Sequence, residues 1–308
     1  MNFHRCFPDT RRSLFPSTMA SNMKVAPVYN HAVWKADTWL RQGGVLDNTR
    51  YSAPALEKGL DIIELLASHP EGLSLADLGK TLGRTTAEIF RMVVTLETRG
   101  YLLAMGDRYV LSLLLFQLAH RHQPVRSLVT TALPLMTQLA NDVRQSFHLC
   151  VYQDGRVLIV AGVESPERWG FSLKVGTLIG MTDTASGQVL MAFQEELERK
   201  RMLKLHVPVD GELPVDAKQL AADLARIKER GHARMPSRQV KGVKNLAYPV
   251  FGRNGHAIAS LTTPFIERID KAPVPAMNEV GERMKAAAQT LTELMGLNVY
   301  WEPGVGVN

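Results

Sequence analysis

Residues 72–112 read GLSLADLGKTLGRTTAEIFRMVVTLETRGYLLAMGDRYVLS. Ser74-Leu-Ala-Asp77 is a capping-box-like start for a short helix whose apolar positions are Leu75, Leu78 and Leu82. Gly83 ends it. Thr85-Thr-Ala-Glu88 is a second capping box. It predicts a helix to about Thr98, with Ile89, Met92/Val93 and Leu96 on the inner stripe and Gly100 as the stop. Tyr101–Ala104 and Arg108–Leu111 flank Met105-Gly106-Asp107, the pattern of a short β-hairpin.

Upstream, Ser52 or Ala53 can cap a helix that has Pro54 at its first position. Leu56, Leu60, Ile63 and Leu66/Ala67 recur at helical spacing until His69-Pro70-Glu71-Gly72 interrupts them. The order is therefore helix, helix, tight turn, helix, hairpin. This predicts a winged helix-turn-helix over 51–110, in which the third helix can enter a major groove about 12 Å wide. Arg84 and Arg91 can pair bidentately with guanine or phosphate, or can form ion pairs with Glu88 or Glu97. Thr85 and Thr86 sit at the helix start, where hydroxyls and free amides meet phosphate, and Thr85 is equally a cap. Arg108 in the wing reaches phosphate or minor groove, or serves only to keep the hairpin soluble. These five residues are the expected DNA contacts.

Residues 1–50 contain Pro8, Pro16, Pro27 and Gly43-Gly44, which break any sustained period. They read as a weakly structured leader, either a tail or a basic arm, and Met19 and Met23 offer later starts. Leu111–Ala119 continues from the wing as a linker helix over 111–123, broken at His120–Pro124. Val125 to Ala140 gives a second amphipathic helix. From Phe147 the pattern changes. Phe147–Tyr152 and Arg156–Gly162 form a hairpin around Gln153-Asp154-Gly155, and Asn245–Phe251 and His256–Thr263 form another around Gly252–Gly255. Phe171–Val175 is a candidate strand. Helices are expected over Thr182–Phe193, Glu195–Leu205, Ala217–Arg230 and Pro275–Met295. Residues 124–300 thus read as an α+β domain of the kind that encloses a small ligand.

The chain has 308 residues, 45 % of them hydrophobic, enough for about two domains with cores of their own. It has no apolar run long enough to span a membrane and no secretory signal, so a cytoplasmic location is expected. Two cysteines, Cys6 and Cys150, exclude a disulfide scaffold and a four-thiolate zinc site. The net charge is +6, but the head does not carry it. Residues 51–122 hold seven Lys/Arg against eight Asp/Glu, whereas residues 1–50 hold seven against three. DNA binding therefore rests on pattern, not on bulk charge. The nine histidines show no metal-ligand spacing, although His148 and Cys150 alternate on one strand. Ser186-Gly187 lacks the preceding glycine of a nucleophile elbow, and no phosphate-binding glycine motif occurs. No metal, cofactor or catalytic site is expected.

Three stretches together resemble the IclR family of bacterial transcription regulators: the block quoted above, VGTLIGMTDTASGQVLMAF (175–193) and IKERGHARMPSRQVKGVKNLAYPVFGRNGHAIASLTT (227–263). The resemblance covers about residues 52–296. It implies a winged helix-turn-helix followed by a GAF-like α/β effector-binding domain. It also implies a homodimer or dimer of dimers on a partly palindromic operator, and a small organic effector, commonly a carboxylate or aromatic acid, that is sensed and not transformed. Ala185 and Ser186 fall where the family's helix offers backbone amides to a carboxylate. Phe171, Ile179, Met181, Met235 and Val243 fall where its pocket is lined, and Asn245, Thr262 and Thr263 are polar residues on adjoining apolar strands.

The departures are specific. Thr86, Ala87 and Glu88 stand where the family usually has lysine, serine and threonine. Gly180, Thr182 and Gln188 replace proline, histidine and lysine, and Met235-Pro236 replaces an acidic pair. Two alternatives follow: a constitutive DNA-binding protein whose pocket has filled in around Met235 and Pro236, or a small-molecule enzyme with a regulatory head.

Overall fold

The computed structural model describes residues 53–121, 123–270 and 273–297. The leader, 1–50, lies outside the described residues, as does Ser52 of the proposed first cap. The architecture is α+β.

Helix α1, Pro54–Ala67, begins on its proline and buries Gly59, Ile62 and Leu66; Ala53 supplies no side-chain cap. A two-residue strand β1, Leu73–Ser74, follows. Helix α2, Leu75–Thr81, is capped by Ser74, whose hydroxyl accepts from the Asp77 amide. Helix α3, Thr86–Thr98, carries the full capping box between Thr85 and Glu88. Between α2 and α3 the chain turns so tightly that a Cβ on Gly79 would stand 2.9 Å from the Arg84 carbonyl oxygen. The Arg84 amide donates to the Gly79 carbonyl at 2.8 Å. This close approach requires glycine. Strands β2, Leu102–Met105, and β3, Arg108–Leu111, form the wing, and β1 adds to it in the order β1-β3-β2. Ile62, Leu66, Leu78, Ile89, Val93 and Leu102 close the core of this head. At about 1.5–3 kcal/mol per buried aliphatic side chain, these residues carry most of its stability.

Helices α4, Leu114–Arg121, and α5, Gln123–Val143, follow. Six antiparallel strands then form one sheet in the order β6-β5-β4-β9-β8-β7. They are β4 Phe147–Gln153, β5 Arg156–Val163, β6 Leu178–Ile179, β7 Ala233–Pro236, β8 Val243–Phe251 and β9 Ala257–Ile266. Strand alternation sorts the side chains. Phe147, Leu149 and Val151 face a core shared with α5 and with the last helix, α9 Met277–Leu297. Cys150 faces a second core built on α6, Ala185–Ala192, and α8, Ala217–Arg230. Helix α7, Glu196–Leu205, lies between them in sequence and contributes Met202 to the second core.

Three expectations are corrected. Phe171–Val175 forms no strand: Ile159 satisfies itself through Thr177 and Gly176 instead, leaving 164–177 as a wrapping loop. Helix α6 starts at Ala185 and not at Thr182, because Thr184 is its cap and accepts from the Gly187 amide. The linker helix begins at Leu114, since Leu111 belongs to the wing. The edge strands β6 and β7, two and four residues long, are too short to carry a strand pattern in the sequence.

Candidate nucleic-acid interface and ligand chamber

Helix α3 hides Ile89 and Val93 completely and turns Thr86, Ala87, Phe90, Arg91 and Val94 to solvent. Arg91 is therefore available to an approaching duplex. Thr86 is exposed on the first turn, where amides lack intrahelical acceptors. Thr85 is committed to the cap: its amide and hydroxyl both donate to Glu88 Oε2 at 2.9 Å. These bonds, reinforced by Lys58 at 3.5 Å, hold the Glu88 carboxyl below the usual carboxylate range. Arg84 turns back to α1 and donates to Asp61 Oδ2 at 3.3 Å. Arg108 is exposed but donates to the Gly72 carbonyl at 3.0 Å, tying the wing to the turn before β1.

The C-terminal domain holds a chamber of about 240 Å³. Phe171, Ile179, Ala185, Ser186, Asn245 and Thr262 line it. Four other residues expected there do not. Met181 is buried in the second core, and Val243 is buried in β8. Thr263 donates to the Ser146 carbonyl at 2.8 Å, which makes its role structural. Met235 lies in a separate cleft beside Arg226, Arg230, Arg234 and Arg238.

The lining also includes residues that sequence reasoning did not find as ligand contacts, among them His148, Asp210, Glu212 and Gln239. His148 was within reach of the strand pattern, because it pairs with Thr262 across β4 and β9. Ser186 Oγ lies 2.9 Å from Thr262 Oγ1 and 3.4 Å from His148 Nε2, and Thr262 Oγ1 lies 3.1 Å from Ser260 Oγ. Burial pushes the His148 imidazole down to about 4, so it is neutral at neutral pH. Burial pushes the Cys150 thiol, hydrogen-bonded to Ser186, up to about 12. The result is a buried row of neutral groups beside the first amides of α6, where the helix concentrates about half a positive charge.

Two acidic residues, Asp210 and Glu212, also line the chamber, and Glu212 is paired with His206. Burial alone would raise the Glu212 carboxyl. His206 Nε2 at 3.0 Å and the Thr182 and Val209 amides, both at 3.1 Å, outweigh burial and hold it at about 2. Burial opposes the His206 charge, but Glu212 prevails and raises its pKa. Asp183 accepts from the Leu213 amide and from Gln239 Nε2, and burial holds its carboxyl above the usual range. A Cβ on Gly180 would fall 1.9 Å from Asp183 Oδ1, which accounts for glycine there. Among the described residues, no lysine or arginine lines the chamber. Among the described residues, no cluster of three or more His, Cys, Asp or Glu could hold a metal ion.

The family model for the bacterial transcriptional regulator IclR C-terminal domain matches residues 122–293, and that for the IclR helix-turn-helix domain matches residues 55–103. The chain belongs to the IclR family of transcriptional regulators. It is similar to the HTH-type transcriptional regulator BhcR of Paracoccus denitrificans, 28 % identical over 248 residues that cover 78 % of this chain and 87 % of the relative. It is also similar to KdgR of Escherichia coli, 24 % identical over 259 residues that cover 83 % and 97 %. Its fold is that of an IclR homologue from Microbacterium hydrocarbonoxydans, solved in complex with 4-hydroxybenzoate. That match has a TM-score of 0.66 and 21 % identity, and covers 78 % of this chain and 98 % of the other. The IclR family and these relatives are transcriptional regulators, not enzymes. Among the described residues no helix is long and apolar enough to cross a membrane.

Proposed function

We propose that this regulator binds a small organic acid, a carboxylate or aromatic acid, in the C-terminal chamber, and that this binding alters the affinity of its head for an operator. One observation carries the reading. The positive end of α6 and the Ser186–Thr262–His148 row open into a chamber whose other walls include Phe171, Leu173 and Ile179. A carboxylate meets donors at one end and its carbon body meets apolar surface at the other. With no lysine or arginine in the lining among the described residues, neutral donors do the recognition. The 4-hydroxybenzoate complex of the Microbacterium protein supports an aromatic acid of that size. Met235 and Pro236 lie outside the chamber, so they do not fill it.

On the DNA side, Arg91 and Thr86 are the principal contacts, with the capped turn at Thr85 and the wing at Arg108 beside phosphate. The protein works in the cytoplasm as a homodimer or dimer of dimers. Two recognition helices then address half-sites about 34 Å apart or a multiple of that. The effector favours one arrangement of the effector domains and, through helices α4 and α5, one separation of the heads.

Thermal unfolding across a panel of small carboxylates tests the chamber. A true ligand at 100-fold its dissociation constant adds about 2.7 kcal/mol, and Ser186→Ala reduces that gain. A panel in which no acid stabilises the protein overturns the reading.

A further inference from the structure

The exposed surface of α3 carries the polar side chains of Thr86, Glu88, Thr95, Glu97 and Thr98, but one strip along it is mostly apolar. Ala87, Phe90, Arg91 and Val94 stand at i, i+3, i+4 and i+7, which places them on one contiguous patch. All four are exposed, Phe90 at 51 % and Val94 at 39 %, while Ile89 and Val93 are 0 % exposed on the far side. The core of the head is complete without Phe90 and Val94. Glu88, the acid of the first turn, lies outside this strip and bonds Thr85 and Lys58. Arg91 is thus a single cation set in an apolar strip.

In the major groove the only apolar group that a base edge displays is the C5 methyl of thymine. A guanidinium next to that strip pairs with guanine O6 and N7. We propose that Phe90 and Val94 read thymine methyls on either side of a guanine held by Arg91, so that base choice at these positions rests on apolar contact. The inference depends on the reading that α3 enters a major groove.

The test begins by selecting duplexes from a random pool with the full chain. Each thymine of the enriched duplex is then replaced in turn by uracil, which removes only the methyl. The expected result is a loss of roughly fourfold per contacted methyl, at one or two positions in each half-site. Phe90→Ala and Val94→Ala bind the thymine and uracil duplexes alike at the affected position, while Phe90→Leu keeps part of the preference. Arg91→Ala weakens both duplexes equally. Uracil without effect at every position overturns the proposal, although the DNA-binding reading stands. Failure to enrich any duplex overturns that reading and the proposal with it. If Phe90→Ala keeps the thymine preference but weakens self-association, Phe90 covers a second copy of the chain and the proposal fails. Unchanged thermal unfolding of the variants confirms that the exposed side chains were removed without loss of fold.

Discussion

The two ends of this protein place their working residues in opposite ways. The head keeps its core behind α3 and puts Arg91, Phe90 and Val94 on the open side of the same helix. The C-terminal domain turns its chemistry inward. His148, Ser186 and Thr262 are nearly buried, come from two strands and a helix start, and are bonded to one another. If these are the contact residues, the head should tolerate substitution on its exposed face at little cost in stability. In the chamber, the proposed ligand contacts are also buried, hydrogen-bonded parts of the core.

Ile89→Ala should have the largest effect on folding. It opens a cavity in a small core and should cost about 2–5 kcal/mol in chemical denaturation of the head. A loss below 1 kcal/mol would mean that α3 is not held by this core. Arg91→Ala should leave unfolding unchanged yet weaken operator binding by about 1–3 kcal/mol. A matching loss of stability would erase the contrast between the regions. Glu212→Gln should destabilise the C-terminal domain by about 1–3 kcal/mol, because His206 and two backbone amides lose a charged acceptor.

The pH dependence of that same group sharpens the point. Glu212 is held at about 2, below its ordinary value of 4.5, so its contribution is complete above 4.5 and is lost as pH falls toward 2. His206 is raised, so its contribution is complete below its ordinary 6.5 and fades as pH rises through the higher folded value. In denaturation at several pH values, Glu212→Gln should flatten both limbs. Limbs identical to those of the parent protein would show that the pair is not coupled to folding. The smallest effect is expected from Thr85→Ala, which removes one half of the capping box for about 0.5–2 kcal/mol.

The same contrast governs how much could be read from the sequence. The head was legible almost to the residue. Ser74, Thr85 and Glu88 are local caps, and the stripe of Ile89 and Val93 follows from a period of one helix. What local reading missed there is Arg84, whose partner Asp61 is a long-range contact from α1. The chamber was legible only in part. Ala185, Ser186, Asn245 and Thr262 are placed by a helix start and by strands with clear patterns. Glu212 and Gln239 come from loops and reach the chamber through the Thr182 and Asp183 bonds, which no periodicity announces. Met181 and Met235 read as apolar wall, but the chain turns them into the second core and into a different cleft.

The coupling of chamber to head is tested most directly by an operator-binding isotherm recorded with and without the acid that stabilises the protein. The account predicts that the acid displaces the midpoint in the parent protein and does so only at higher acid concentration in Ser186→Ala, whose affinity for bare operator is unaltered. An isotherm that stays in place while the acid is demonstrably bound would contradict it.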